Sequence, residues 1–374
     1  MTTNQRVLGK VFFVLSMAAV CGGAAFGRDV HVCSTCAHKT IQSAVNDAVS
    51  GDSVLVAQGT YVENVTITGK ALNVVGGPGI TSVVGAGRGP VFTLGTPTVE
   101  GTPFLVGISN FTISGGNHLS GTGDGGGIQV RAGAYLNLSN SIVTGNVAVS
   151  GAGISMSTVP GPDYGFANQI SQCYIQNNTA TAAAGASGIG GGVALLEGNA
   201  IIEASVITQN QANEGAGVYE GALAHALIVD DTTISLNIAD GSSGGRGGGL
   251  FVASFIRMSF DQVSANRSFG DGSAGMYLIP TFPPPDVYGD AGSDIESTDF
   301  SNNQGGRHTP NPAGLVIGTP AKSTGGSAGV FMTDVAVVLN SGYGIVNNGG
   351  ILGVNVLVQL NSLGNCSGSG SGCP

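Results

Sequence analysis

The chain is built around a unit that recurs along most of its length: a strand-like run, an aliphatic or aromatic residue three positions before an asparagine, and then a cluster of glycines. The asparagines of these units are Asn146, Asn178, Asn210, Asn237, Asn266, Asn303, Asn340 and Asn361. Their spacings of 32, 32, 27, 29, 37, 37 and 21 residues are typical of a solenoid, because the core of each coil stays in register while outer loops differ in length. The repeat therefore predicts one elongated body rather than two globular domains.

The composition favours a chain that turns often and still has a core. Of 374 residues, 65 are glycine, none is tryptophan and 9% are charged, whereas 42% are hydrophobic. A disordered chain has too few apolar side chains to match this composition, and a helical protein has fewer glycines. The formal net charge of −10 disfavours nucleic acid as a partner, because phosphates would be repelled, and we expect no such partner.

Residues 1–27 have the features of a secretory signal peptide. Arg6 and Lys10 precede an apolar run, and small residues near Gly27 suit cleavage. We expect a mature chain that begins near residue 28 and is secreted, with the extracellular space, the cell surface and the periplasm as destinations. No later apolar stretch is long enough for a transmembrane helix, so we expect none in the mature chain.

Close pairs of cysteines lie near both ends of the mature chain. In an oxidising compartment, Cys33 with Cys36 and Cys366 with Cys373 can each form a local disulfide. The first pair and its two flanking histidines can also be drawn as a zinc site, although four ligands within eight residues must fold very tightly. Cys173 then remains unpaired.

A short helix is expected at the start of the body. Thr40 is placed to cap a helix over residues 40–49, whose apolar stripe would cover the first coil and its unpaired backbone. We expect the β-helix to occupy residues 28–361 and a Gly/Ser-rich tail to occupy residues 362–374.

Two stretches resemble known families. Residues 40–67, TIQSAVNDAVSGDSVLVAQGTYVENVTI, resemble the entry segment of the pectin-lyase-like superfamily of right-handed parallel β-helices. That superfamily includes lyases, pectin esterases and adhesins, so the resemblance implies an all-β, single-stranded right-handed parallel β-helix and leaves the activity open. The repeats are similar to those of polymorphic outer membrane proteins, with Gly125-Gly126-Gly127-Ile128 and Phe300-Ser301-Asn302-Asn303 among the matches. The chain resembles the passenger part of such proteins.

Offsets from each asparagine sort the side chains into core, corner and solvent. The residues eight positions earlier form an apolar column that is expected to face inward: Leu138, Ile170, Ile202, Val229, Met258, Ile295 and Met332. At the corner after the strand, an asparagine can adopt a left-handed backbone conformation and bond to its equivalent one coil away. We therefore expect Asn146, Asn178, Asn210, Asn237, Asn266 and Asn303 to form a structural ladder.

Two irregular loops interrupt the repeat, at residues 157–168 and 279–293. Both follow a glycine unit and carry Pro-Asp close to Tyr-Gly, and they contain the aromatic residues Tyr164, Phe166, Phe282 and Tyr288. If the glycine units occupy equivalent corners, both loops project from one side of the solenoid, four coils or roughly 19 Å apart. We expect them to wall a groove for a polysaccharide or a cell-surface glycan.

Acidic and basic residues lie between these loops. Glu203, Asp230 and Asp231 are at outward or corner positions, and Arg257 faces the same sheet. Polysaccharide lyases of the resembled fold hold Ca²⁺ with carboxylates near a basic residue that removes a proton next to a uronate carboxyl. The resemblance thus implies Ca²⁺ at the three carboxylates and a catalytic base at Arg257. The alternative is a solvated face on which Arg257 pairs with neighbouring carboxylates.

The sequence therefore predicts a secreted or cell-surface β-helix protein of adhesin-like, glycan-binding and non-catalytic type. The patterns Asn-Thr-Asp and Gly-His-Gly of the polygalacturonases are absent. A Ca²⁺-dependent, pectate-lyase-like polysaccharide lyase is the alternative function, and a purely structural β-helix is the third.

Overall fold

The computed structural model describes residues 27–97, 102–120, 123–158, 167–181, 188–240, 245–270, 272–279, 292–305, 312–318, 329–348 and 351–368. Within these ranges the chain forms one short helix, Ile41–Asp47, and parallel strands that return once per coil. The strands form four stacks, which we number in the order in which a coil passes through them after its glycine cluster.

The first and second stacks together form a sheet of 21 strands. The first stack consists of Val65–Ile67, Phe92–Leu94, Ile128–Val130, Ile154–Ser157, Leu250–Val252, Met276–Leu278, Pro312–Ile317, Tyr343–Asn347 and Gly364–Ser367. The second stack consists of Asp29–Val32, Ser53–Val56, Leu72–Gly76, Phe104–Ser109, Ala134–Ser139, Asn168–Ser171, Ile256–Ser259, Gly292–Glu296, Gly329–Thr333 and Ile351–Val354. Two long strands, Val193–Glu203 and Val218–Asp230, run through both stacks.

The third and fourth stacks are separate sheets of 11 and 6 strands. The third consists of Gly59–Val62, Thr81–Val84, Thr112–Ser114, Ile142–Thr144, Tyr174–Gln176, Val206–Thr208, Thr233–Ser235, Gln262–Ser264, Asp299–Ser301, Ala336–Val338 and Leu357–Gln359. The fourth consists of Asn117–His118, Val147–Ala148, Thr179–Ala180, Gln211–Ala212, Ile238–Ala239 and Arg267–Ser268. All named strands pair in parallel with the equivalent strand of the next coil. The protein is therefore a right-handed parallel β-helix, the hand that parallel crossovers adopt almost without exception.

The predicted apolar column is confirmed. Its seven residues, from Leu138 to Met332, are paired in register from coil to coil. Each is at most 1% exposed, and together with the inward residues of the other stacks they form one continuous core. The strand period of two places alternate side chains in this core because each strand has one inward and one outward face.

The asparagine ladder is also confirmed and continues to Asn361. In a typical rung, Asn178 Nδ2 donates to Asn210 Oδ1 at 3.0 Å and to Val143 O at 3.0 Å, while the Asn178 main-chain N–H donates to the same Asn210 oxygen. From Asn178 to Asn340, each amide oxygen accepts two bonds and each amide nitrogen donates two, so the polar atoms of these buried side chains are fully paired.

The expectation that the ladder asparagines are left-handed is wrong. The left-handed residue is the one immediately before each, as at Asn177 (φ 55°) and Leu236 (φ 57°). A second left-handed position lies six residues before each asparagine and turns the chain from the second stack to the third, as at Phe260 (φ 57°). The ladder asparagine therefore needs no left-handed backbone conformation, because the residue before it makes the turn.

A second ladder follows that turn, five residues before each asparagine. Its members are Ser141, Cys173, Ser205, Thr232, Asp261, Thr298 and Val335, all buried. The hydroxyl of Thr232 accepts the Ser205 N–H at 3.3 Å and donates to Asp230 O at 3.0 Å. Asp261 continues this pattern by accepting the Thr232 N–H at 2.8 Å, although its other oxygen has no partner among the described residues.

The helical cap forms as predicted, although it ends at Asp47 rather than near residue 49. Thr40 Oγ1 accepts the Ser43 N–H at 3.1 Å, and the carboxylate of Glu63 accepts the N–H groups of the first two helical residues. Lys70 Nζ donates to two carbonyls at the other end. Both helix ends are thus satisfied by side chains from neighbouring coils.

The ends of the solenoid differ in part from expectation. Cys33 and Cys36 form a disulfide, as predicted, and do not form a zinc site. Cys366 is also disulfide-bonded, and its predicted partner Cys373 lies outside the described residues. The strand Gly364–Ser367 pairs with Tyr343–Asn347, so the β-helix continues beyond the predicted boundary at residue 361. Main-chain pairing needs no particular side chain, and a Gly/Ser-rich segment can supply it.

The predicted signal peptide lies outside the described residues, apart from its last position. Among the residues that the structure describes, no helix is both long and apolar enough to cross a membrane.

Candidate functional site

The turn between the first and second stacks, which we call the loop corner, varies most from coil to coil. Only Arg131, Ala132 and Gly133 connect the two stacks in one coil, whereas residues 158–167 do so in the next. Both predicted loops begin at this corner, one after the strand that ends at Ser157 and one after the strand that ends at Leu278. The strand registers place their starting points four coils apart, or roughly 19 Å, as predicted. The aromatic residues Tyr164, Phe166, Phe282 and Tyr288 lie outside the described residues.

Gln129 lies at the start of this corner, on the outward side of the strand Ile128–Val130. Its neighbours Ile128 and Val130 face the core, so the alternation of the strand points Gln129 away from it. The side chain is nevertheless only 4% exposed, because the preceding glycine turn folds back over it. A Cβ on Gly125 (φ 70°) would lie 2.7 Å from Gln129 Cβ, a contact that only glycine avoids.

Ser155 occupies the position next to Gln129 on the following coil and is fully buried. Gln129 Oε1 and Ser155 Oγ have no hydrogen-bond partner among the described residues. Buried polar atoms are nearly always paired in folded proteins, so this pair of oxygens marks a place where an additional polar partner would be stabilised.

Both side chains line a cleft of about 400 Å³ that is half open to solvent, which we call the Gln129 cleft. The complete lining is Pro97, Asp124, Gln129, Val130, Arg131, Ala132, Ser155, Ser157 and Glu197. Among the described residues, Asp124, Arg131 and Glu197 form no ion pair. The cleft therefore presents three charges, two hydroxyls and an amide that the protein itself leaves largely unused.

Glu197 lies at the loop corner of the coil that follows Ser155, where it is next to Ser157 and lines the cleft. Ser157 Oγ donates to Glu197 Oε2 at 3.4 Å, and Thr158 Oγ1 donates to Glu197 O at 3.3 Å. The next residue, Gly198, has φ 89°, and a Cβ there would lie 2.1 Å from Thr158 Oγ1. Glycine at this position thus lets two successive coils approach closely enough to bring Glu197 beside Ser157.

An aromatic stack lies farther along the same outward column, at Tyr219, Phe251 and Tyr277. The rings are nearly parallel, with centroids 5.1 Å and 5.6 Å apart. Arg246 lies over the last two rings, and its Nε donates to Glu214 Oε1 at 3.0 Å. Burial and the nearby Glu214 raise the pKa of Tyr219, which keeps its hydroxyl protonated. These contacts are made within the protein, so the stack stabilises this face.

Arg257 lies elsewhere, on the outward face of the second stack. It is directly opposite Asp294, with Nη2 and Oδ2 3.8 Å apart, and both side chains are substantially exposed. The structure therefore gives Arg257 the neighbour expected of a solvated face.

Two of the three predicted Ca²⁺ ligands, Glu203 and Asp230, lie directly opposite each other on neighbouring strands, and Asp231 follows Asp230 in the chain. Glu203 is exposed, Asp230 accepts the Ser259 hydroxyl at 2.6 Å, and Asp231 is an exposed left-handed corner residue. Across the described part of the chain, no three His, Cys, Asp or Glu side chains are grouped closely enough to hold a metal ion.

Sequence reasoning missed the Gln129 cleft because its residues belong to a different part of the repeat. Counting two positions beyond each glycine cluster, rather than back from each asparagine, gives Gln129, Ser155, Ala194, Tyr219, Phe251 and Tyr277. That offset reveals the column, whereas the charged residues of the turns have no common offset.

Comparison with known proteins gives one structural neighbour to report. No protein-family model and no curated protein matches the chain. The crystal structure of the pectin methylesterase from Aspergillus niger in deglycosylated form is similar over 92% of this chain and 86% of that chain, with 14% sequence identity and a TM-score of 0.29.

Proposed function

We propose that this protein is a secreted or cell-surface, glycan-binding β-helix protein of adhesin-like type, and that its ligand occupies the Gln129 cleft. The observation that carries the proposal is a pair of buried oxygens, Gln129 Oε1 and Ser155 Oγ, which belong to residues that line the cleft and which have no partner among the described residues. Unpaired acceptors at this position favour a ligand whose hydroxyl or amide groups donate hydrogen bonds.

The chemistry of the cleft suits a sugar better than an apolar molecule. Carboxylate, guanidinium, amide and hydroxyl groups lie together on a wall that also includes Pro97 and Val130. Its volume of about 400 Å³ is within the usual range of ligand sites, roughly 300–1,000 Å³. Gln129 and Ser155 are held on paired strands, which keeps their positions fixed before binding.

The aromatic loop residues remain candidate contacts of the same ligand. The first loop starts at Thr158, directly after the cleft residue Ser157. We infer, as the sequence predicts, that Tyr164, Phe166, Phe282 and Tyr288 take part in binding the same ligand. Aromatic rings complement the apolar faces of sugars, whose hydroxyls would bind the polar cleft.

The test compares two leucine variants on a glycan array and by titration calorimetry with the strongest hit. Gln129→Leu removes the amide from the cleft at nearly constant volume, and we expect a loss of at least about tenfold in affinity, as for a buried hydrogen-bonded group. Gln176→Leu is the matched control, because Gln176 lies half-buried on the third stack, away from the cleft. Circular dichroism confirms that both variants fold.

Two results would overturn the proposal. Equal binding by the wild type and Gln129→Leu would place the ligand elsewhere. Release of unsaturated, ultraviolet-absorbing ends from uronate polymers, abolished by Arg257→Lys, would support a polysaccharide lyase instead, since Arg257 is the predicted base.

A further inference from the structure

The charges of the Gln129 cleft are unequal. Asp124 and Glu197 are acidic and Arg131 is basic, and none of them forms an ion pair with a residue that the structure describes. The cleft therefore has a formal charge of −1 in a chain whose net charge is −10. An anionic ligand would be repelled both by the cleft and by the whole molecule, whereas a cationic ligand would be attracted.

The hydrogen-bonding groups of the cleft likewise favour a ligand that donates hydrogen bonds. Carboxylates only accept hydrogen bonds, and the Gln129 oxygen is a buried acceptor with no donor among the described residues. Ser157 donates one long hydrogen bond, 3.4 Å, to the Glu197 carboxylate, which keeps most of its capacity to accept further hydrogen bonds. A complementary ligand must therefore bring several N–H or O–H donors close together.

We propose that the Gln129 cleft selects a glycan that contains a cationic amino sugar, whose protonated amine donates to the carboxylates of Asp124 and Glu197. This inference rests on the proposed glycan-binding function. An ammonium group supplies three hydrogen-bond donors and a positive charge at one atom, so it complements both the negative charge and the hydrogen-bond acceptors of the cleft. Arg131, which only donates, contacts ring or hydroxyl oxygens of the adjoining sugar.

Two oligosaccharides with the same backbone isolate the amine. The probes are a β-1,4-linked glucosamine tetramer with free amines and its fully N-acetylated counterpart, which has the same linkage and no charge. A galacturonate tetramer supplies the opposite charge. Titration calorimetry at about pH 5.5 and low salt is expected to give at least about tenfold tighter binding of the free amine than of the acetylated tetramer, because charge-assisted bonds are the stronger ones. Added salt should reduce the difference.

Isosteric variants separate the cleft from the general charge of the protein. Asp124→Asn and Glu197→Gln should each reduce the preference for the free amine severalfold. Asp240→Asn removes the same charge from an exposed side chain that does not line the cleft and should leave the preference unchanged. An equal effect of all three variants would mean non-specific attraction of a polycation and would overturn the inference.

The remaining outcomes distinguish this inference from the proposed function. If the acetylated or galacturonate tetramer binds as tightly as the free amine, and Gln129→Leu abolishes that binding, the cleft binds glycans but does not select a cation. If Gln129→Leu changes the affinity for none of the tetramers or array glycans, the proposed function fails and this inference fails with it.

Discussion

Replacing Asp261 by threonine is expected to stabilise the protein at neutral pH and to remove a pH dependence that the aspartate imposes. Asp261 is the one acid in a ladder of small side chains, with Thr232 and Thr298 at the equivalent position on either side. Burial raises the pKa of Asp261 to about 7, and repulsion from Asp230 and Asp231 acts in the same direction, while the Thr232 N–H opposes it.

The size of the effect follows from the two protonation states. In the unfolded chain the carboxyl has its ordinary pKa of 3.8, so between pH 3.8 and about 7 the native state keeps a proton that the unfolded state releases. The raised native pKa means that this stability is fully present below pH 3.8 and is lost as the pH rises through about 7. At about 1.4 kcal/mol for each pH unit, the loss reaches at most about 4 kcal/mol.

The assay is urea unfolding of wild type and Asp261→Thr, followed by circular dichroism from pH 4 to pH 8. At pH 4 the protonated Asp261 resembles a hydroxyl, so the two proteins should have similar unfolding free energies. At pH 8 the variant should be more stable by up to about 4 kcal/mol. Asp240→Asn controls for the loss of one charge at an exposed position. A difference between wild type and Asp261→Thr that stays constant from pH 4 to pH 8 would refute the assignment of a buried, titrating carboxyl.

Three further substitutions test the interior. Asn210→Ala should lower the unfolding free energy by about 3–5 kcal/mol, because it removes the acceptor of both Asn178 donors and each unpaired buried group costs about 1–3 kcal/mol. Cys173→Ser should change the unfolding free energy by less than about 1 kcal/mol, since serine occupies this ladder position on both neighbouring coils. Native Cys173 should react with thiol reagents only after unfolding, because burial raises the pKa of its thiol to about 11. Glu220→Leu should stabilise the protein at pH 7 by about 1–3 kcal/mol, because burial raises the pKa of this core carboxyl well above its ordinary value and neither oxygen has a described partner.

For each of these three predictions, one experimental result would contradict it. Gln176→Ala, on the outward side of the third stack, controls for Asn210→Ala, and similar losses in the two would mean that the ladder adds no special stability. Rapid labelling of Cys173 in the native protein would contradict its burial. A destabilised Glu220→Leu would mean that the carboxyl is paired in the folded protein.

The columns of the fold were predictable because a solenoid repeats one environment in every coil. Leu138 and Ile170 are apolar, and Asn178 and Asn210 are identical, since each lies directly on its equivalent and must satisfy the same packing or pairing. The left-handed turn was not assigned to its residue, because the position before each asparagine holds side chains as different as Asn177 and Leu236. The main chain makes that turn, and the side chain points to solvent.

The Gln129 cleft was not predictable in the same way. Gln129, Ser155 and Glu197 have different chemistry, and Glu197 belongs to a turn whose length changes from coil to coil. Only the strand registers place them at one corner, and only the close contact of Gly198 with Thr158 brings Glu197 into the cleft.

The sequence by itself thus determined the β-helix, its core, its asparagine ladder and its capped first coil, because those features repeat or depend on neighbours along the chain. The tertiary structure alone decided which polar residues share a surface. It placed Arg257 opposite Asp294 and brought Gln129 together with Ser155 and Glu197. Contacts between unlike residues of different coils depend on loop geometry, and no repeat in the sequence encodes that geometry.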